Sequence, residues 1–95
     1  MLLRIVRMEF HDEHCAQFES IFLEAKDKIE AQPGCKGVRL MTDAQDKNIY
    51  YTHSYWENEA DLNNYRKSDF FGVTWKKTKV LFRAKPMAFS LLEHQ

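Results

Sequence analysis

Ile49-Tyr50-Tyr51-Thr52-His53-Ser54-Tyr55-Trp56 is the stretch on which the fold turns. It is rich in tyrosine and β-branched residues, so it reads as a β-strand. Side chains alternate along a strand. Tyr51, His53 and Tyr55 therefore share one side, and Tyr50 and Trp56 share the other. Both sides carry aromatic rings, so a sheet built on this strand is expected to be buried on both faces. Upstream, Asp43-Ala44-Gln45-Asp46-Lys47-Asn48 has the polar composition of a turn, and residues 37–42 read as the strand before it. Downstream, Asn58 can cap a helix, with Asp61 three positions on in a capping-box-like arrangement.

Further outward the pattern is regular. Residues 2–10 alternate as a first strand, with Leu3, Ile5 and Arg7 on one side and Leu2, Val6, Met8 and Phe10 on the other. Asp12 is a candidate N-cap for a helix whose apolar stripe is Cys15, Phe18, Phe22, Ala25 and Ile29, widened by Ile21. Pro33-Gly34 stops that helix. In the helix after Asn58 the expected apolar contacts are Ala60, Leu62 and Tyr65. Ser68 or Asp69 can cap a further helical segment carrying Phe70, Phe71, Val73 and Trp75, whose C-terminal end suits Lys76, Lys77 and Lys79 through the helix dipole. Pro86 precedes a last strand, Met87–Leu92. The order β-α-β-β-α-β is the ferredoxin-like plan, an α+β fold with a four-stranded antiparallel sheet and its helices on one face. The last strand is apolar on both sides, Met87, Phe89 and Leu91 against Ala88 and Leu92. An uncovered apolar sheet face marks an interaction surface, and the simplest partner is a second copy packed face to face, a homodimer.

Composition narrows the function classes. At 95 residues a single domain spanning 1–95 is expected, and a chain of this size has a thin stability margin that a partner subunit would help. Seven Phe, four Tyr and two Trp need a core, an interface or a pocket. Lys+Arg and Asp+Glu stand at 14 each, so no electrostatic footprint for nucleic acid or an anionic membrane is present. Arg4 and Arg7 interrupt the first apolar run, which is too short for a signal peptide. No apolar run approaches the roughly 20 residues of a membrane span. The expected compartment is the cytoplasm. Cys15 and Cys35 read as reduced thiols rather than a disulfide framework. His11 and His14 lie near Cys15, but no second ligand cluster answers them, so no metal site is expected. His94 and Gln95, at the chain end, are expected to fray.

The stretch Ser54-Tyr55-Trp56-Glu57-Asn58, followed by Leu62, Tyr65 and Ser68-Asp69-Phe70-Phe71, resembles the signature region of antibiotic biosynthesis monooxygenase domains. There a strand ends in Trp-Glu or similar, a helix with an apolar residue and an aromatic or His follows, and Ser-x-x-Phe enters a second short helix. Element order and length match over nearly the whole chain. The resemblance implies a dimeric α+β barrel with a pocket in each subunit between sheet and helices. It also implies one of several activities: oxygenation of aromatic polyketides or quinols without metal or flavin, haem degradation in one branch, or none assigned. The haem-degrading branch uses a first-strand Asn, a helix Trp and an axial His. The corresponding positions hold roughly Val6, Tyr65 and Trp75. Tryptophan offers only an N–H donor and cannot ligate iron, so the resemblance argues against haem and for no cofactor.

Cofactor-free oxygenation needs an electron-rich phenol or hydroquinone, a group that takes its proton, and a dry slot in which the anion meets oxygen. His53 is the candidate base, since imidazole titrates near neutrality; the alternative is a hydrogen-bonded core or interface histidine. Tyr65, Trp75 and Phe71 are the candidate pocket wall, with Tyr51, Tyr55 and Arg7 beside His53; core packing explains the aromatics equally well. Arg4 and Arg7 lie in a strand that should be largely buried. They need either a carboxylate such as Glu9 or Glu57, or a partner-subunit acid, or an anionic ligand to clamp. The function read from the residues and the resemblance is a cofactor-independent monooxygenase acting on a small aromatic or quinol-like molecule. The alternative is a non-catalytic dimeric small-molecule-binding or stress-related domain with the same pocket.

Overall fold

The strand Ile49–Trp56 runs as β3 through the middle of a four-stranded sheet in the computed structural model, which describes residues 1–94. Its neighbours are β1 (Leu2–Glu9) on one side and β2 (Cys35–Thr42) on the other, and β4 (Met87–Leu92) extends the sheet beyond β1. Every neighbouring pair is antiparallel, and the order is β2-β3-β1-β4. β1 and β2 are thus parallel with β3 between them, the split arrangement of the ferredoxin-like α+β fold. The helices are α1 (Cys15–Glu30), α2 (Glu59–Arg66) and α3 (Asp69–Lys79). Gln95 lies outside the described residues, and His94 is exposed, outside any helix or strand. Among the described residues no helix is long and apolar enough to cross a membrane.

The stripe that makes α1 amphipathic is the one it buries: Phe18, Phe22, Ala25 and Ile29 pack with Met8, Phe10, Val38, Tyr50 and Leu81 in the main core. Phe10, Phe18 and Tyr50 form an aromatic knot, with Phe10 and Phe18 stacked at 4.3 Å and Tyr50 edge-on to both. The Tyr50 hydroxyl closes on the Glu19 carboxylate. A second small core holds Leu2, Trp56 and Leu62 at the other end of β3. The side chains of Asn58 and Ser68 accept from the backbone N–H groups of Asp61 and Phe71 and so start α2 and α3.

Several expectations give way to the packing. Asp12 does not cap α1. The His14 N–H donates to the His11 carbonyl, closing a 3-10 turn over Asp12–His14 before the α-helix begins, and the Asp12 carboxylate pairs instead with Lys47 at 3.5 Å. The first strand ends at Glu9, and Phe10 makes a single bridge to Phe82. The second strand starts two residues earlier than its composition suggests, at Cys35, because a bulge between Cys35 and Gly37 absorbs the irregular Cys-Lys-Gly segment. Ala60 and Val73 are exposed, not buried. At about 100° per residue each sits on the far side of its helix from the residues that pack inward, Leu62 and Tyr65 in α2, Phe71 and Trp75 in α3.

β4 is the unusual element. All six of its residues are exposed, including Phe89 at 47% and Leu92 at 74%. As an edge strand it is apolar on both sides, as its sequence indicates, but among the described residues nothing covers it.

Candidate active site

Between the sheet and the helices lies a cavity of about 290 Å³. Its floor is the helix-facing side of the sheet: Arg4, Val6 and Met8 from β1, Thr52 and Ser54 from β3, Val38 from β2 and Ala88 from β4. One wall is the apolar stripe of α1, including Phe18, Ile21 and Phe22. The opposite wall comes from α2 and α3: Leu62, Tyr65 and Arg66, then Phe71, Thr74, Trp75 and Thr78. Pro86 and Met87 close the side next to β4. The volume lies just under the range of about 300–1,000 Å³ usual for small-molecule sites, which suits a small ring system.

The aromatic wall is continuous. Tyr65 stacks on Trp56 at 5.1 Å and meets Phe71 edge-on at 5.1 Å; Phe71 stacks on Trp75 at 6.0 Å, and Trp75 meets Phe82 at 5.5 Å. The break between α2 and α3 sets this up. Ser68 ends one helix by donating its hydroxyl to the Tyr65 carbonyl and starts the next by accepting from Phe71. The rings on either side of it therefore converge over the sheet. Two of the hydroxyls inside are spoken for. The Ser54 hydroxyl accepts from Trp56 Nε1 at 2.9 Å, and the Thr78 hydroxyl donates to the Thr74 carbonyl at 2.8 Å. Burial, with a smaller contribution from Cys35, pushes the Tyr65 phenol up to about 12, so at neutral pH it is a hydrogen-bond donor and not a phenolate base. Burial also pushes the Cys35 thiol up, away from nucleophilic use.

The sequence-predicted site residues fall into two groups. Tyr65, Phe71 and Trp75 line the cavity together. His53, Tyr51, Tyr55 and Arg7 do not join them. Thr52 and Ser54 line the cavity, so by alternation Tyr51, His53 and Tyr55 point to the opposite sheet face, and Arg7, paired with Tyr51 across the β1–β3 ladder, points there too. His53 is thus not within the cavity, and the pairing of an imidazole base with the Tyr65–Trp75 wall is corrected. Of the two first-strand arginines, Arg4 lines the cavity and Arg7 does not. Arg4 shares the even-numbered side of β1 with Leu2, Val6 and Met8, a placement readable from the strand alternation once those residues are taken as the core side. Arg66 is the lining residue that sequence reading misses; it sits one residue after Tyr65 at a helix end, where a basic residue has an ordinary dipole role.

Neither expected carboxylate reaches these arginines. Glu9 pairs with Arg83 at 3.0 Å and Glu57 with Lys36 at 3.2 Å. Among the described residues Arg4 makes no ion pair; its Nη1 donates to the Ser90 hydroxyl at 2.9 Å. Burial, and next the charge of Arg66, hold the Arg4 guanidinium below its ordinary pKa. Among the described residues no three His, Cys, Asp or Glu side chains gather as a metal set. Among the described residues the cavity lining contains no histidine, so the donor set does not fit a haem held by an axial imidazole.

The comparisons agree with the architecture. The family profile described as antibiotic biosynthesis monooxygenase matches residues 1–77. No curated protein matches the sequence. Among solved structures, an antibiotic biosynthesis monooxygenase superposes with a TM-score of 0.92 at 17% identity, covering 100% of both chains. A conserved protein from Methanosarcina mazei gives 0.92 at 14% identity, over 99% of this chain and 94% of its own. A mutant of SnoaB, a cofactor-independent oxygenase from Streptomyces nogalater, gives 0.88 at 18% identity, over 99% of this chain and 93% of its own. At such identities the likeness is one of fold.

Proposed function

The chain belongs to the antibiotic biosynthesis monooxygenase family, and from that premise we propose that it is a cofactor-independent monooxygenase acting on a small aromatic or quinol-like molecule in the cavity between sheet and helices. The observation that carries the reading is the cavity itself, a ring-lined slot with few polar groups and two guanidiniums in its lining. A hydroquinone or anthrone lying against Tyr65, Phe71 and Trp75 would be held out of water. Once ionised, its electron-rich ring can pass an electron to O₂. Recombination forms the new C–O bond, and loss of water leaves the oxidised ring, so the substrate supplies the reducing electrons and neither metal nor flavin enters. The protein's part is orientation, exclusion of water and stabilisation of the anion. A structural neighbour described as a cofactor-independent oxygenase supports this class of chemistry. The working unit in this proposal is a cytoplasmic homodimer joined through the sheet faces.

Oxygen-electrode measurements with a hydroquinone, a catechol and an anthrone test the proposal. Protein-dependent uptake that yields a singly oxygenated product is expected with at least one of them. A second reading, a non-catalytic binding domain, draws on a specific feature: among the described residues the cavity lining contains no imidazole or carboxylate to serve as a base. Tight binding of aromatics with no uptake from any of the three substrates would favour it.

A further inference from the structure

Arg4 and Arg66 line the same cavity, and among the described residues neither forms an ion pair with a carboxylate. Two like charges facing one apolar space repel each other, a cost that an anion between them would relieve. Arg4 is also held in place: it rises from the middle of β1 and is tied to Ser90 across the β1–β4 ladder. The remaining polar lining is hydroxyl only, from Thr52, Ser54, Tyr65, Thr74 and Thr78. The cavity therefore has the means to stabilise an oxyanion and lacks an ordinary base to create one.

We propose that Arg4 and Arg66 form an oxyanion clamp, so that the cavity takes a hydroxy-aromatic as its phenolate or enolate and ionises it by charge stabilisation rather than by a protein base. In this step the O–H bond breaks heterolytically, the electron pair stays on the ring oxygen, and the proton leaves to solvent water. No oxidant is needed until O₂ arrives. The clamp explains how a site without His, Asp or Glu can activate a phenol. It rests on the reading that the cavity is where the aromatic binds, but not on turnover.

The test is the ionisation of bound 4-nitrophenol, whose anion is yellow, followed by absorbance across pH with the full chain in excess. The bound probe should ionise at least about one pH unit below the free probe, equivalent to an anion held about tenfold more tightly than the neutral form. Arg4→Gln and Arg66→Gln should each remove most of that shift, and Arg66→Lys should retain part of it. Arg39→Gln, which removes the same charge from the face of β2 turned away from the cavity, beside His53, should leave it intact. Should Arg4→Gln fail to fold, Arg66→Gln, at the exposed end of α2, decides alone. An unshifted midpoint, no binding at millimolar probe, or an undiminished shift in Arg66→Gln would overturn the clamp. Because no oxygen is consumed in this measurement, a shifted midpoint without uptake from any substrate would keep the clamp and remove the monooxygenase. Uptake with an unshifted midpoint would do the reverse.

Discussion

Tyr65 is held between the Trp56 indole and the Phe71 ring, and burial there sets both its chemistry and its contribution to stability. Its phenol ionises at about 12 in the folded chain against 10.0 for the free group. Between those values the unfolded chain has released a proton that the folded chain keeps, so stability falls as pH rises. The contribution is complete below pH 10 and is lost as pH climbs through 12, amounting to up to about 3 kcal/mol. Tyr50, raised by burial and by its Glu19 hydrogen bond, acts in the same direction. Urea titrations above pH 10 should show a steep loss of stability in the wild type and a flatter one in Tyr65→Phe; identical slopes would remove Tyr65 from the account. Trp75 adds packing. It touches both Phe71 and Phe82, and Trp75→Ala should cost about 2–4 kcal/mol and weaken binding of an aromatic ligand at least severalfold. Wild-type affinity in a folded Trp75→Ala would place the ligand elsewhere.

At the scale of elements, the connection from α1 to β2 depends on a single glycine. Gly34 has φ of 82°, and its carbonyl accepts from the Glu57 N–H at 2.8 Å. A Cβ there would lie 2.1 Å from an Asp61 carboxylate oxygen and 2.6 Å from the Asp61 Cβ. Gly34→Ala therefore meets both a left-handed backbone and the side of α2, and a loss of about 1–3 kcal/mol is expected. Thermal melting checks this, and a melting temperature within a degree or so of wild type would mean that the turn relaxes freely. Ser68 plays a different part, since its hydroxyl both ends α2 and begins α3. Local chemistry of this sort is legible in sequence: the Asn58 cap, the helical stripe of α1 and the bounds of β3 follow from near-neighbour patterns. The misplaced start of α1 shows where such reading stops. Asp12 looks like a cap in sequence, yet the pairing of Phe10 N–H with the Asn48 carbonyl and its bridge to Phe82 position the chain so that a 3-10 turn comes first.

On the scale of the whole molecule, the sheet has one face under helices and one bare. The bare face carries Ile5, Tyr51, His53 and Tyr55 on the central strands and Phe89 and Leu91 on β4. A second copy laid against it would bury roughly 2,000 Å² or more in total, the scale of an obligate dimer. Sedimentation at micromolar concentration should give twice the chain mass, and Phe89→Glu should shift the protein to monomer or aggregate. A wild type that stays monomeric and soluble would end the dimer proposal. His53 belongs to this surface, so His53→Ala is expected to leave oxygen uptake of the folded dimer unchanged. If uptake disappeared while the dimer persisted, the reaction would have to lie on the bare face and not in the cavity.

The sequence alone determined the alternating strands, the amphipathic α1, the Asn58 cap and the ferredoxin-like order, because each is written in residues close along the chain; it left Ser68 and Asp69 as alternatives for the cap of α3. Strand alternation also grouped His53 with Tyr51 and Tyr55, while the family resemblance and the break at Ser68 grouped Tyr65 with Phe71 and Trp75. Only the tertiary structure decided that these groups lie on opposite sides of the sheet. Alternation says which side chains share a face but not which face the helices cover; that choice is made by long-range docking of the α1 stripe onto Met8, Val38 and Tyr50. The docking of α2, through Leu62 against Leu2 and Trp56, brings Arg66 into the cavity with Arg4, 62 positions earlier in the chain. No local pattern links the two, and only the packing of α2 over β1 and β3 places both charges in one apolar space.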